Sequence, residues 1–330
     1  MKLLRLRHLS IKIFIISFVS IFTTLVKAEN LDKFSVAGWS KPISEITNLL
    51  SEPDKGFFKA KGIDLDYVPG TGGGSAIINM LSGAADIAFT DPASFYQAID
   101  KGEKLIAIYN IYPQNVFNVV SLKSNNITKP SDLKGKKIGV YSLSSGTRQN
   151  LQVLLHQVGL TEQDVSVQVT GLLNFAPVIQ GQVDATAATD TGLYVAKLRG
   201  LKDFNVIEVK NYLNVPSDMF VVTENTYNSK KDLLRRFLSA YKDCTQWMID
   251  NPIEASKIAK KRTINGRNES VNLDIIKIRN ASAVSKTTKK QGLGHFDLEL
   301  LQKGAETFKE LGLIKNSIDM SKLVKSDLIP

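Results

Sequence analysis

A chain of 330 residues, 43% hydrophobic and 22% charged, is too apolar for a disordered polymer and long enough for two folded lobes. A single cysteine, Cys244, excludes an internal disulfide framework, and three histidines without Cys or His at ligand spacing argue against a metal site. The formal charge of +10 is carried half by Lys2, Arg5, Arg7, Lys12 and Lys27; no later basic block interleaves with aromatics, which argues against a nucleic-acid partner.

Those five bases surround an apolar run over 13–26 that ends in Val26-Lys27-Ala28. A basic head, a short apolar stretch and small residues at the −3 and −1 positions predict a secretory signal peptide over 1–28, with a mature periplasmic chain starting at Glu29. The run is shorter than the roughly 20 residues that cross a bilayer. With no Cys at the cleavage point, the mature chain is expected to carry no lipid anchor.

From there the chain repeats strand, small polar loop and helix. Strands are predicted over 34–39, 63–68, 86–90, 105–112 and 117–122, with helical apolar spacing over 44–61 and helices after Gly74 and Asp91. The pattern restarts with strands at 137–141, 165–169, 185–189 and 206–209, helices between them, and a return strand at 220–223. Leu233, Leu234, Phe237, Leu238, Tyr241 and Met248 then give a long amphipathic helix, and Leu300, Leu301, Ala305, Phe308 and Leu311 a last one. Residues 282–292, rich in Ser, Thr and Lys, read as an exposed loop.

This alternation predicts an α/β fold of two lobes, each a mostly parallel sheet flanked by helices. Lobe I comprises 29–118 with 220–330, and lobe II, 119–219, is inserted into it. Two hinge strands cross near Asn118–Ser121 and Val215–Phe220.

In open α/β sheets ligands bind beyond the carboxyl ends of the strands, where helix N-termini offer free N–H groups. Small polar residues recur at those places: Trp39 and Ser40; Gly73, Gly74 and Ser75; Thr90 and Asp91; Ser144, Ser145, Gly146 and Thr147; Asn174; and Asp190. Each also serves as an ordinary cap or turn residue, so the argument rests on their recurrence. Arg148, just inside a helix, is a candidate clamp for an anionic ligand, with a solvated helix-flank residue as the plain alternative. Asp91 and Asp190 are candidate acceptors for a ligand amine, and Trp39 a stacking surface. The glycine loop 70–75 lacks the third Gly of a dinucleotide fingerprint and the Lys of a phosphate loop, so no cofactor is expected. No G-x-S-x-G nucleophile elbow occurs.

Lys55-Gly-Phe-Phe-Lys-Ala-Lys-Gly-Ile-Asp-Leu65, Gly70–Ser75, Leu81-Ser-Gly-Ala-Ala-Asp-Ile-Ala-Phe-Thr90, Asp132-Leu-Lys-Gly-Lys-Lys-Ile-Gly139, Gly181-Gln-Val-Asp-Ala185 and Phe308-Lys-Glu-Leu-Gly-Leu-Ile314 occur in this order. Together they resemble the nitrate/sulfonate/taurine and thiamine-pyrimidine-precursor branch of the type II periplasmic binding proteins. The resemblance implies hinged closure on a small-molecule ligand, delivery to an ABC permease with a separate ATPase subunit, no catalysis and a monomeric state. It places ligand contacts at the loops named above. A small organic anion of the sulfonate or aromatic-carboxylate kind is the expected ligand, with a thiamine pyrimidine precursor as the alternative. A periplasmic sensor acting on a signalling partner is a further alternative. Fungal relatives that make the thiamine pyrimidine look enzymatic through a Cys-rich motif, which a chain with one Cys lacks.

Overall fold

In the computed structural model, described over residues 30–173 and 175–330, ten strands form two five-stranded sheets. The expected signal segment lies outside the described residues. The strands are β1 (Asp32–Ala37), β2 (Ile63–Val68), β3 (Ile87–Thr90), β4 (Leu105–Tyr112), β5 (Phe117–Leu122), β6 (Lys137–Val140), β7 (Ser166–Val169), β8 (Ala185–Thr189), β9 (Phe204–Glu208) and β10 (Asp218–Thr223).

The first sheet runs β2-β1-β3-β10-β4 and the second β7-β6-β8-β5-β9. The two orders are the same pattern, and in each the fourth place is taken by the strand on which the chain arrives from the other sheet. That strand, β10 or β5, pairs antiparallel with both neighbours, whereas β1, β2 and β3, like β6, β7 and β8, pair in parallel. Four strands of each sheet therefore run one way and the crossing strand runs against them, so the sheets are mostly parallel, as the sequence pattern predicts, with one reversed strand apiece. Strand direction depends on the crossing of the chain, and periodicity carries no trace of it.

Both faces of the first sheet are buried, as expected where helices cover an α/β sheet on two sides. Along β1, β3 and β10, Phe34, Val36, Ile87, Phe89, Phe220 and Val222 face the helix Lys231–Asp250, whose Leu234, Phe237, Leu238, Tyr241 and Cys244 recur at helical spacing. Ala37, Ala88, Met219 and Val221 alternate onto the other face with Tyr96, Leu301 and Phe308. Cys244 is fully buried, as its apolar surroundings suggest, and burial pushes its thiol up.

Two local expectations are corrected. Residues 44–61 form no single helix, but short turns Ser44–Ile46, Thr47–Leu50, Glu52–Lys55 and Lys59–Lys61. Pro53 can occupy only the first turn of a helix, and Gly56 ends the third segment in a left-handed conformation at φ 68°. The predicted loop 282–292 contains the helix Lys286–Gln291, started by a Ser285–Thr288 capping box. No described helix is long and apolar enough to cross a membrane.

Candidate functional site

A cavity of about 420 Å³ opens between the two sheets. Its wall is assembled from segments at one edge of each sheet. Trp39 follows β1, Asp91 follows β3, Tyr141 and Ser145 to Thr147 follow β6, and Thr191 follows β8. β5 and β10 run the opposite way, so their beginnings, Phe117 and Asp218, reach the same edge. Ile275 and Arg279 of the helix Glu269–Ser282 close one side.

Charge on the inner wall is mostly acidic. Asp91 caps the helix Pro92–Asp100, accepting hydrogen bonds from the Ser94 N–H at 2.8 Å and its hydroxyl at 2.9 Å. Burial nevertheless outweighs these bonds and pushes its carboxyl up to about 6. The side chain of Asp218, a residue 8% exposed, has no hydrogen-bond or ion-pair partner among the described residues. Burial first, then the charge of Asp91, holds its carboxyl well above the usual range. The Trp39 indole N–H is buried and also has no partner. An open acceptor thus faces a space whose other walls include the rings of Phe117, Tyr141 and Phe175.

Arg279, 2% exposed, joins elements of both sheets. Its Nε meets Glu45 Oε2 at 2.6 Å, while Nη2 meets Asp190 Oδ1 at 2.8 Å and donates to Thr191 Oγ1 at 2.9 Å. Thr191 Oγ1 in turn donates to Glu45 Oε1 at 2.9 Å. Burial works against the guanidinium's charge, but Asp190 and Glu45 prevail and hold its pKa above the ordinary value. One helical turn earlier, the Tyr194 hydroxyl donates to Asp274. On the opposite flank the glycine loop meets the start of the helix Gly146–His156: Gly74 N–H donates to Ser144 O at 3.1 Å, and Ser144 Oγ to Thr71 O at 3.1 Å. Gly72 has φ 134°, and a Cβ there would lie 2.3 Å from Ser144 O. The glycines therefore permit close approach of the two sheet units, the backbone freedom that only Gly has.

Of the residues singled out in the sequence, Trp39, Gly73, Asp91, Ser145, Gly146 and Thr147 line the cavity. Ser145 also caps its own helix, and Thr147 Oγ1 accepts from Tyr141 N–H. Ser40, Gly74, Ser75, Thr90, Ser144 and Asp190 are not among the lining residues: Thr90 Oγ1 bonds Gly73 O, Ser40 Oγ bonds Lys41 O, and Asp190 serves Arg279. Asn174 lies outside the described residues. Arg148 requires correction as an anion clamp. Its Nε and Nη2 are taken by Glu162, at 2.7 and 2.5 Å, and its Nη1 by Leu143 O, so the guanidinium is spent on its own flank.

Glu45, Phe117, Asp218 and Arg279 were not legible as site residues. Phe117 and Asp218 mark where the chain enters a new sheet, a usable signal. Arg279 sits three and four residues after Ile276 and Ile275, so a cation on an apolar helical stripe was a second one. Among the described residues no group of His, Cys, Asp and Glu is arranged to hold a metal ion.

Comparison with known proteins agrees with this architecture. The alkanesulfonate-binding protein SsuA of Xanthomonas axonopodis pv. citri, solved bound to MOPS, superposes with a TM-score of 0.68 at 14% identity over 89% of this chain and 98% of its own. This likeness shows the periplasmic-binding-protein fold. A Haemophilus influenzae protein named "putative thiamine biosynthesis protein" is 27% identical over 61% of this chain, and the match spans 64% of that relative, less than two thirds of its length. The riboflavin-binding protein RibY of Chloroflexus aurantiacus is 22% identical over 84% of this chain and 80% of its own. The NMT1/THI5-like family model matches residues 43–255, a span that holds both crossings of the chain and most of the cavity wall, so this chain belongs to the NMT1/THI5-like family.

Proposed function

We propose that the chain is an exported, non-catalytic ligand-binding component of an ABC importer, and that its ligand is a small heteroaromatic with hydrogen-bond-donating nitrogens, of the aminopyrimidine class. One observation carries the ligand class: the Asp218 carboxylate opens without a partner on a cavity walled by aromatic rings. A ring amine or amidine would supply the missing donor. Aromatic walls suit a flat ring. The name of the Haemophilus influenzae relative points the same way. An organic anion, the expectation from the sequence, loses its main support because Arg148 is engaged by Glu162.

Each sheet with its helices acts as one lobe in this reading, and the hinge is placed in the segments 113–116 and 209–217 instead of near Asn118–Ser121 and Val215–Phe220, because 118–121 lies inside β5 and 218–220 inside β10. Ligand contacts to both lobes favour the closed form by their differential affinity. The protein recovered from the periplasm, with a mass beginning at Glu29, is titrated calorimetrically with 4-amino-5-hydroxymethyl-2-methylpyrimidine and with MOPS. Binding of the pyrimidine alone, with a smaller radius of gyration by small-angle scattering, is the expected result. Binding of MOPS alone would overturn the ligand class, and pyrimidine binding at an unchanged radius would overturn the hinge.

Gly72→Ala tests the clasp on the glycine flank. Its Cβ would collide with Ser144 O only when the lobes are together, and φ 134° is strained for alanine in either state. The φ strain cancels between the two states, but a collision costing about 1–3 kcal/mol in the closed form alone should lower affinity by about ten- to a hundredfold and keep the liganded radius of gyration large. Unchanged affinity and radius would mean that closure does not bring these loops together.

A further inference from the structure

The cavity is lined both by buried acids and by exposed side chains that include a free cation. Asp91 and Asp218 are 4% and 8% exposed, whereas Leu172, Ile179 and Arg199 line the same cavity and are exposed to solvent. Arg199 ends the helix Asp190–Leu198, and its guanidinium has no ion pair or hydrogen bond among the described residues. The other cavity guanidinium, Arg279, is saturated by Glu45, Asp190 and Thr191. A plain reading of Arg199 is a helix-terminal cation facing its own last carbonyls. Its place in a cavity wall that also holds exposed apolar side chains gives it a second task.

Building on the aminopyrimidine reading, the geometry points to a second subsite at these exposed side chains: Arg199 receives an anionic substituent, such as a phosphate ester, on the end of the ligand that faces away from Asp218. The ligand class is then a heteroaromatic head with a donor nitrogen, an apolar middle against Leu172 and Ile179, and an anionic tail. A volume of about 420 Å³ lies in the ordinary range for ligands larger than one small ring. Guanidinium is suited to this role because its planar fork can take two phosphate oxygens at once. Because Arg199 is exposed, its contribution should be moderate and weakened by salt. An anionic tail also fits the expectation of an anion read from the sequence while moving its partner from Arg148 to Arg199.

The test compares matched pairs that differ only by a phosphate: 4-amino-5-hydroxymethyl-2-methylpyrimidine with its monophosphate, and riboflavin with flavin mononucleotide. Calorimetric titration is run at low and high salt on the natural protein and on Arg199→Ala. The expected result is a phosphate preference of roughly tenfold in a bound pair, shrinking with salt and falling to about one in Arg199→Ala, as for a single charge-assisted contact. Pyrimidine binding with no preference, or a preference that survives Arg199→Ala, overturns the subsite and leaves the aminopyrimidine reading standing. Binding of the flavin pair alone, with an Arg199-dependent preference, supports the subsite and sinks the aminopyrimidine reading. If no member of either pair binds, both fall.

Discussion

Arg279→Ala should destabilise the protein by about 3–5 kcal/mol, the usual cost of removing one partner from a buried ion pair. The loss comes less from the bonds themselves than from what remains. Glu45 and Asp190 would face each other across the boundary between the sheets with no cation between them. Urea unfolding should show the midpoint move down, with the melting temperature falling by roughly 10 °C at 2–4 °C per kcal/mol. Adding Glu45→Gln to Arg279→Ala should recover part of the loss, because the second change removes the stranded carboxylate. Arg279→Lys should not restore the natural stability, since an ammonium cannot serve Glu45, Asp190 and Thr191 in the fixed geometry of the fork. A loss below about 1 kcal/mol for Arg279→Ala would mean that solvent, and not Asp190, satisfies the guanidinium in solution.

Asp218→Asn should separate stability from binding. The buried carboxylate is held well above its unfolded pKa of about 3.9, so the folded state binds the extra proton. The stability this contributes is fully present below that unfolded value and is lost as pH rises through the folded pKa. The unliganded natural protein should therefore lose stability against Asp218→Asn as pH goes from 4 to 7.5, leaving the variant the more stable at the upper end. Asp91, raised to about 6 by burial, titrates in the same direction within this window and is coupled to Asp218, so the comparison reports Asp218 together with its effect on Asp91. Binding should move the other way. Loss of a charge-assisted hydrogen bond, roughly 1.5–3 kcal/mol, should weaken an aminopyrimidine by about ten- to a hundredfold at pH 7.5. Thermal melts across pH with titration at one pH check both halves. A variant that melts lower at pH 7.5 and binds normally would make Asp218 a structural residue.

Much of the fold is legible in local pattern. The bounds of β2, β4, β5 and β8 coincide with those read from apolar runs bounded by glycine and polar turns. The other strands differ by one or two residues at their ends. The long helix Lys231–Asp250 follows from its stripe. Local chemistry also explains two failures. Pro53 and Gly56 break the apolar spacing of 44–61 into separate turns, and the Ser285 cap makes a helix of a segment whose composition reads as loop. In both, one capping or breaking residue outweighed the average character of its window.

The candidate site divides along the same line. Small polar residues at the ends of parallel strands mark the edge where the cavity lies, because strand, turn and helix start are neighbours in the chain and their chemistry is written locally. Which side chain meets which is not. Arg148 and Glu162 pair across 14 residues, close enough for a local explanation, yet their pairing removed the cation expected in the cleft. Glu45 and Arg279 are 234 residues apart, and Asp218 comes beside Asp91 only because β10 returns antiparallel to the edge of the first sheet. By itself the sequence determined the strands, the helix faces and the loops at which a ligand would be sought. Tertiary structure alone decided which strand of each sheet runs against the other four and the acidic sign of the cavity's inner wall. The reason is that periodicity and capping are short-range properties of the chain, whereas the charge of a cavity is set by residues that meet only after the chain has crossed between its sheets twice.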